Sequence, residues 1–192
     1  MAQKKTVKTA FFVLLTACLT TIALALSGAE PTVSAAPRPT TLDQVARGKY
    51  LVTIAACHDC HSPKLDDRMT IDNTRLLSGR PVTTFPPMQG AGEIRASLDL
   101  TAWAGPWGNS YAANLTPDRE TGLGGRYTEA SFIRTMRTGI KPEGETLAPP
   151  MPWTVYRNMT DEDLKAVYAY LSSLTPVHNV VRAAPRIEVA RR

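Results

Sequence analysis

Cys57, Cys60 and His61, within Cys57-His58-Asp59-Cys60-His61, are the residues of this chain whose types and spacing point most directly to chemistry. Two thiols three residues apart on one helical turn can each add across a vinyl group of the same porphyrin, and an adjacent imidazole then reaches the iron as an axial ligand. A zinc site would need four ligands, yet the other cysteine, Cys18, lies in an apolar leader and the one distant histidine is His178. A thioredoxin-like pair would need a βαβ context, and no strand–helix alternation surrounds these residues. The C-x-x-C-H motif occurs once, so the expected cofactor is one covalent haem c.

His61 is expected to bind through Nε2 and to donate from Nδ1 to a backbone carbonyl, with Pro63 and the segment after it as candidates that the sequence does not decide between. His58 is expected to face solvent and His178 to lie on the surface. The thioether candidates for the opposite axial position are Met69, Met88, Met136, Met151 and Met159. Met136 lies on an apolar helical stripe, and Met69 follows His61 too closely to reach the other face. Met151 sits in Pro149-Pro150-Met151-Pro152-Trp153, where fixed φ angles present the sulfur with little freedom to lose. Met88, beside Pro86 and Pro87, is the runner-up. Asn114, Thr116, Arg126 and Trp153 are candidate propionate contacts, with loop capping as the alternative for each.

The elements that must position these groups read as helices. A first helix is expected over 42–57, capped by Thr41, with Gly48 marking a close crossing. A second runs over 129–138 between the Thr128 cap and Gly139. A third runs over 161–174, with Thr160 as cap, three acidic residues in its first turn and Pro176 beyond. Its Leu164, Val167, Tyr168, Leu171 and Leu174 follow the i, i+3, i+4, i+7 spacing of a core face. Between Ser62 and Ala113 lie 52 residues with five Pro and five Gly. This long insertion is expected to wrap over one haem edge, with 98–103 as a turn of helix and Trp103 and Trp107 covering the ring. No strand pattern competes.

Lys4, Lys5 and Lys8 precede a 17-residue apolar run, Ala10 to Leu26, and then Ser27-Gly28-Ala29. That is the layout of a secretory signal, with cleavage expected after Ala29 or alternatively Ala36. The run is short of the roughly 20 residues of a membrane span, and a retained anchor is the alternative reading. Leu15-Thr16-Ala17-Cys18 also resembles a lipoprotein signal, although the apolar run continues past Cys18. The expected organisation is a signal at 1–29, a spacer at 30–40, one domain at 41–179 and a basic tail at 180–192. The 192 residues carry 22 basic and 17 acidic side chains, but Asp43–Asn179 holds 14 and 15. No basic stripe survives in the folded part, so nucleic acid is not an expected partner.

The haem motif is followed in order by Ala113-Asn114-Leu115-Thr116-Pro117-Asp118, Thr121-Gly122-Leu123-Gly124, Arg137-Thr138-Gly139, Pro150-Met151-Pro152-Trp153 and Asp161-Glu162-Asp163-Leu164 through Tyr170-Leu171. This series resembles the class I cytochrome c domains of membrane-associated alcohol and gluconate dehydrogenase cytochrome subunits. The resemblance covers about 42–177. It implies an all-α, cytochrome c-like fold with helices and long loops around one haem, attached at Cys57 and Cys60 and ligated by His61 and Met151. It also implies a first and last helix crossing near Gly48 and Tyr168. The chain departs from those subunits in having a single C-x-x-C-H and a long insertion. The expected function is periplasmic electron transfer between a dehydrogenase and a terminal oxidase or other acceptor, by a carrier rather than an enzyme. A peroxidase-type haem enzyme or a haem-based sensor is the alternative if the sixth ligand can be displaced. Membrane association would come through the N-terminal segment.

Overall fold

The first helix, α1 (Thr41–Ile54), starts one residue before its expected bound because Thr40, rather than Thr41, caps it. The Thr40 hydroxyl accepts from the Asp43 amide at 3.2 Å, and the Asp43 carboxylate accepts from the Thr40 amide at 3.0 Å. This reciprocal box satisfies two amides that an α-helix leaves unpaired. The computed structural model describes residues 40–83 and 92–181. The expected leader, most of the spacer, Cys18, Met88 and most of the basic tail lie outside the described residues.

The helix does not run through Cys57. It closes at Ala55, and Ala56 takes a left-handed conformation with φ 55°. The chain restarts as a separate turn, α2 (Cys57–His61). A break at Ala56 re-aims the C-x-x-C-H turn independently of α1. Alanine gives no sequence signal for such a break, because φ > 0 is normally a glycine or asparagine conformation.

Two other helices match their expected positions closely. α3 (Glu129–Thr138) starts at a Thr128–Ser131 capping box and stops at Gly139, φ 73°. The short α4 (Trp153–Tyr156) follows Met151. α5 (Asp161–Ser173) is capped by Thr160 and lies along α1. Gly48 sits at that crossing, where a Cβ would fall 1.9 Å from the Ala166 carbonyl oxygen and 2.7 Å from the Tyr170 Cβ. The crossing partners are therefore Ala166 and Tyr170, not Tyr168. Tyr168 turns instead toward α3, with its hydroxyl donating to the Tyr127 carbonyl at 3.1 Å and its ring 5.6 Å from Phe132. Leu51, Val52, Phe132, Met136, Leu164, Val167 and Leu171 form the buried core between α1, α3 and α5.

The all-α expectation needs correction in the insertion. Residues 98–103 form no helix. A three-stranded antiparallel sheet, β1 (Arg95–Ala96), β2 (Ala102–Gly105) and β3 (Gly108–Tyr111), is ordered β1-β2-β3. Gly105 pairs with Gly108 across a two-residue turn, and Trp103 pairs with Ser110. Strands of two to four residues are too short for period-2 alternation to emerge. Asp99 replaces the expected helical turn, its carboxylate accepting from the Thr101 amide and the Ser97 hydroxyl. Among the described residues no helix is long and apolar enough to cross a membrane.

Candidate functional site

Cys57, Cys60 and His61 share the single turn α2, and both thiols are free and half-buried. Burial pushes the Cys57 thiol up to about 11, and it also raises that of Cys60. Burial thus disfavours the thiolate, the form that would bind a metal ion directly. His61 is lowered by burial, which favours the neutral imidazole that ligates metals.

The His61 ring is held by the far end of the insertion. Its Nδ1 lies 2.8 Å from the Ala113 carbonyl oxygen, 52 residues on, which makes Nδ1 the protonated nitrogen and leaves Nε2 with its lone pair. Ala113 rather than Pro63 is thus the acceptor, and the Pro63 carbonyl accepts instead from the Asp72 amide at 2.9 Å. The His61 carbonyl in turn accepts from the Gly79 amide at 2.8 Å. Gly79, φ 79°, lets the Ala112–Ala113 backbone come so close that a Cβ there would fall 2.6 Å from it.

Lys64 fixes the same turn from its C-terminal end. Its Nζ donates to the carbonyls of Asp59 at 2.8 Å and Ser62 at 2.7 Å, with longer contacts to His58 at 3.3 Å and Asp99 at 3.4 Å. A cation among the last carbonyls of a helical turn satisfies groups that the turn leaves unpaired. His58 does not point to solvent: it is half-buried, with Nδ1 3.2 Å from the Ser62 hydroxyl, and burial lowers its pKa.

Met151 is half-buried and packs against the same apolar cluster as Cys57, Leu76 and Leu115. The segment after it is tied to the start of the C-x-x-C-H turn, where the Tyr156 hydroxyl donates to the Ala55 carbonyl at 2.5 Å. Met136 is buried in the core on α3, as expected. Met159 lines a groove of about 410 Å³ with Ile54, Ala55, Val155, Tyr156 and Asn158. Met69 lies in the turn after α2 with φ 66°.

Asn114 and Thr116 are fully buried, and their polar atoms are engaged inside the protein. Asn114 Nδ2 donates to the Thr121 hydroxyl and the Val177 carbonyl, while its Oδ1 accepts from the Thr116 amide and hydroxyl. The Thr116 hydroxyl also accepts from the Val177 amide. This is a loop-to-terminus clamp, the capping alternative, and it leaves these side chains no atom for a propionate. Arg126 is exposed and donates to the carbonyls of Gly122 and Asn114. Trp153 is half-buried against Gly139, where a Cβ would meet its ring at 2.5 Å. His178 is exposed, as expected, with Nδ1 3.7 Å from Glu120 Oε2.

Trp103 and Trp107 lie on or beside the insertion's sheet. The Trp103 indole donates to the Leu100 carbonyl at 2.9 Å. Trp107 stacks on Gly105 and donates to the Ser110 hydroxyl at 3.3 Å. Sequence reasoning missed Ala113, Gly79, Lys64, Ser110 and Tyr156. A signal was available for Ala113 alone, which opens the quoted Asn114–Asp118 motif.

The donor set fits a covalently attached haem: two thiols and an Nε2 on one turn, with a thioether on a stiff segment packed against the same cluster. No family model matches the chain. Among curated proteins, it is 31% identical over 160 residues to the fructose dehydrogenase cytochrome subunit of Gluconobacter japonicus, covering 83% of this chain and 26% of that one. It is 34% identical over 134 residues to the gluconate 2-dehydrogenase cytochrome c subunit of Pantoea cypripedii, covering 69% and 24%. Against the cytochrome c subunit of the quinone alcohol dehydrogenase of Gluconacetobacter polyoxogenes the identity is 48% over 126 residues, covering 66% and 21%. The chain thus spans about a quarter or less of the length of these relatives.

Proposed function

We propose that this chain, a cytochrome c resembling the domains of those dehydrogenase subunits, is a periplasmic electron carrier with one haem c bound through Cys57 and Cys60. His61 and Met151 are its axial ligands. The observation that carries this reading is the His61 geometry: Nδ1 is committed to the Ala113 carbonyl, so Nε2 is free to ligate, on the same turn as two free thiols.

The bound haem supplies a one-electron Fe(III)/Fe(II) couple, whose potential His/Met ligation raises. The chain's own part is to hold the ligands still. The Ala113 carbonyl fixes the imidazole, the Gly79 amide holds the His61 backbone carbonyl, and Tyr156 ties the segment bearing Met151 to the stretch just before the turn bearing the thiols. Both axial positions are filled in this reading, which leaves no open site for substrate and favours a carrier over an enzyme or gas sensor. The donor is a dehydrogenase, the partner class that the relatives' names suggest, and the acceptor is an oxidase or another cytochrome.

The test is an absorption spectrum of mature protein produced with a working haem-attachment apparatus, with and without carbon monoxide. The expected result is a low-spin c-type spectrum, a weak sulfur-to-iron band in the oxidised form and no tight carbon monoxide binding. Met151→Ala is expected to remove that band and lower the potential. A Met151→Ala spectrum identical to the parent's would eliminate Met151 as a ligand, and colourless protein would eliminate the haem.

A further inference from the structure

The insertion's sheet touches both halves of the site. On the His61 side, the strand running out of β3 carries Ala113, whose carbonyl holds the imidazole at 2.8 Å. The turn before β2 meets Lys64 through the Asp99 carbonyl at 3.4 Å, and Trp103 on β2 ties back to that turn through the Leu100 carbonyl at 2.9 Å. On the Met151 side, the Ser110 hydroxyl of β3 donates to the Pro149 carbonyl at 2.6 Å. Trp107, at the β2–β3 turn, donates to that hydroxyl and orients it.

Proline cannot donate from its own nitrogen, so Pro149, Pro150 and Pro152 give the segment around Met151 few ways to bind itself to the fold. After Met151 the chain is held by Tyr156 and by Arg137, which donates to the Arg157 carbonyl and pairs with Asp161 at 2.6 Å. Two residues before Met151, the hold is the Ser110 hydroxyl.

We infer that the β2–β3 hairpin is a brace for the sixth-ligand segment, with Ser110 as a positioning residue that keeps Met151 from being displaced. The inference rests on the reading of Met151 as an iron ligand. The brace is anchored by hydrogen bonds at the turn bearing the thiols and His61, through the Ala113 and Asp99 carbonyls, and it reaches across the site to Pro149. A free segment would swing and admit an exogenous ligand in competition with the thioether.

The experiment titrates the oxidised holoprotein with imidazole and follows the shift of the Soret band in every variant, with loss of the sulfur-to-iron band as a second readout wherever that band is present. Ser110→Ala is expected to bind imidazole several-fold to about tenfold more tightly than the parent, the scale set by one hydrogen bond. Ser110→Thr, which keeps the hydroxyl, is expected to restore the parent value. Trp107→Phe, which removes the N–H that orients the hydroxyl, is expected to move affinity in the same direction as Ser110→Ala. It also serves as the second probe if Ser110→Ala yields no folded protein. Met151→Ala, run in parallel, is expected to bind imidazole most tightly. If Met151→Ala binds tightly while Ser110→Ala and Trp107→Phe match the parent, the brace is overturned and the ligand assignment stands. If Met151→Ala leaves band and affinity unchanged, the ligand assignment falls and takes the brace with it.

Discussion

The Tyr156 hydroxyl donates to the Ala55 carbonyl at 2.5 Å across 101 residues of sequence. It joins the helix that follows Met151 to the left-handed break that re-aims the C-x-x-C-H turn. Tyr156→Phe keeps the ring and removes the bond. A net loss of about 1 kcal/mol is expected, more if the Ala55 carbonyl finds no water. In a thermal melt the midpoint should fall by a few degrees, and the sulfur-to-iron band should weaken at a lower temperature than in the parent. Coincident loss of band and fold in both proteins would show that the bond has no special hold on the ligand segment.

The same hydroxyl makes stability depend on alkaline pH. Burial, reinforced by the Cys57 and Cys60 sulfurs, pushes Tyr156 up to about 12. An acid whose folded pKa exceeds its unfolded value of about 10 binds more protons when folded between the two. Its contribution is therefore complete below about pH 10 and disappears as pH climbs through about 12. Denaturant midpoints measured from pH 9 to 12 should fall in the parent and fall less steeply in Tyr156→Phe. Once the sulfurs are thioethers their charges no longer contribute, but burial, the larger cause, remains.

Gly79→Ala tests the acceptor side of His61. The position has φ 79°, and a methyl there would fall 2.6 Å from the Ala112 carbonyl oxygen. The 112–113 backbone must retreat and weaken the His61–Ala113 bond. An imidazole that donates less strongly at Nδ1 is a poorer electron donor to iron, so the reduction potential should rise. A drop in stability with no change in potential would mean that the Ala113 carbonyl does not tune the ligand.

Where local chemistry decides an element, its bounds were legible. Thr128 and Gly139 bracket α3, and Thr160 begins α5, because capping is written in adjacent residues. Residues that act through distant partners were not legible. Nothing near His61 announces that its acceptor is Ala113, and Asn114 and Thr116 read as propionate contacts only until Val177 closes over them. Ala56 broke α1 against its own propensity, a choice imposed by tertiary structure. The hairpin at Gly105-Pro106-Trp107-Gly108 did carry a turn signal, but its strands were too short to be read beside it.

Gly48→Ala should show how tightly α1 and α5 are pressed together. The added carbon would sit 1.9 Å from the Ala166 carbonyl oxygen, a helix backbone atom with no rotamer to escape into. The intrinsic preference for alanine in a helix, about 1 kcal/mol, is then outweighed by overpacking that typically costs about 1–3 kcal/mol. The two helices must part, loosening Leu51 and Val52 from Leu164 and Val167.

Lys64→Met removes the cation from the C-terminal end of α2 while keeping most of its aliphatic bulk. The carbonyls of Asp59 and Ser62 lose their donor, and a cost of about 0.5–1.5 kcal/mol is expected, since water can reach the exposed Asp59 site. A positive charge near the iron favours Fe(II), so its removal should also lower the reduction potential, and less so at high ionic strength. Lys64→Arg keeps the charge but spreads it over a planar fork that cannot address the same carbonyls as a point donor. It should retain more of the potential than of the stability. Redox titration and thermal melts of both variants separate the two roles. If Lys64→Met leaves the potential at the parent value while lowering the melting point, Lys64 holds the turn together without setting its electrostatics.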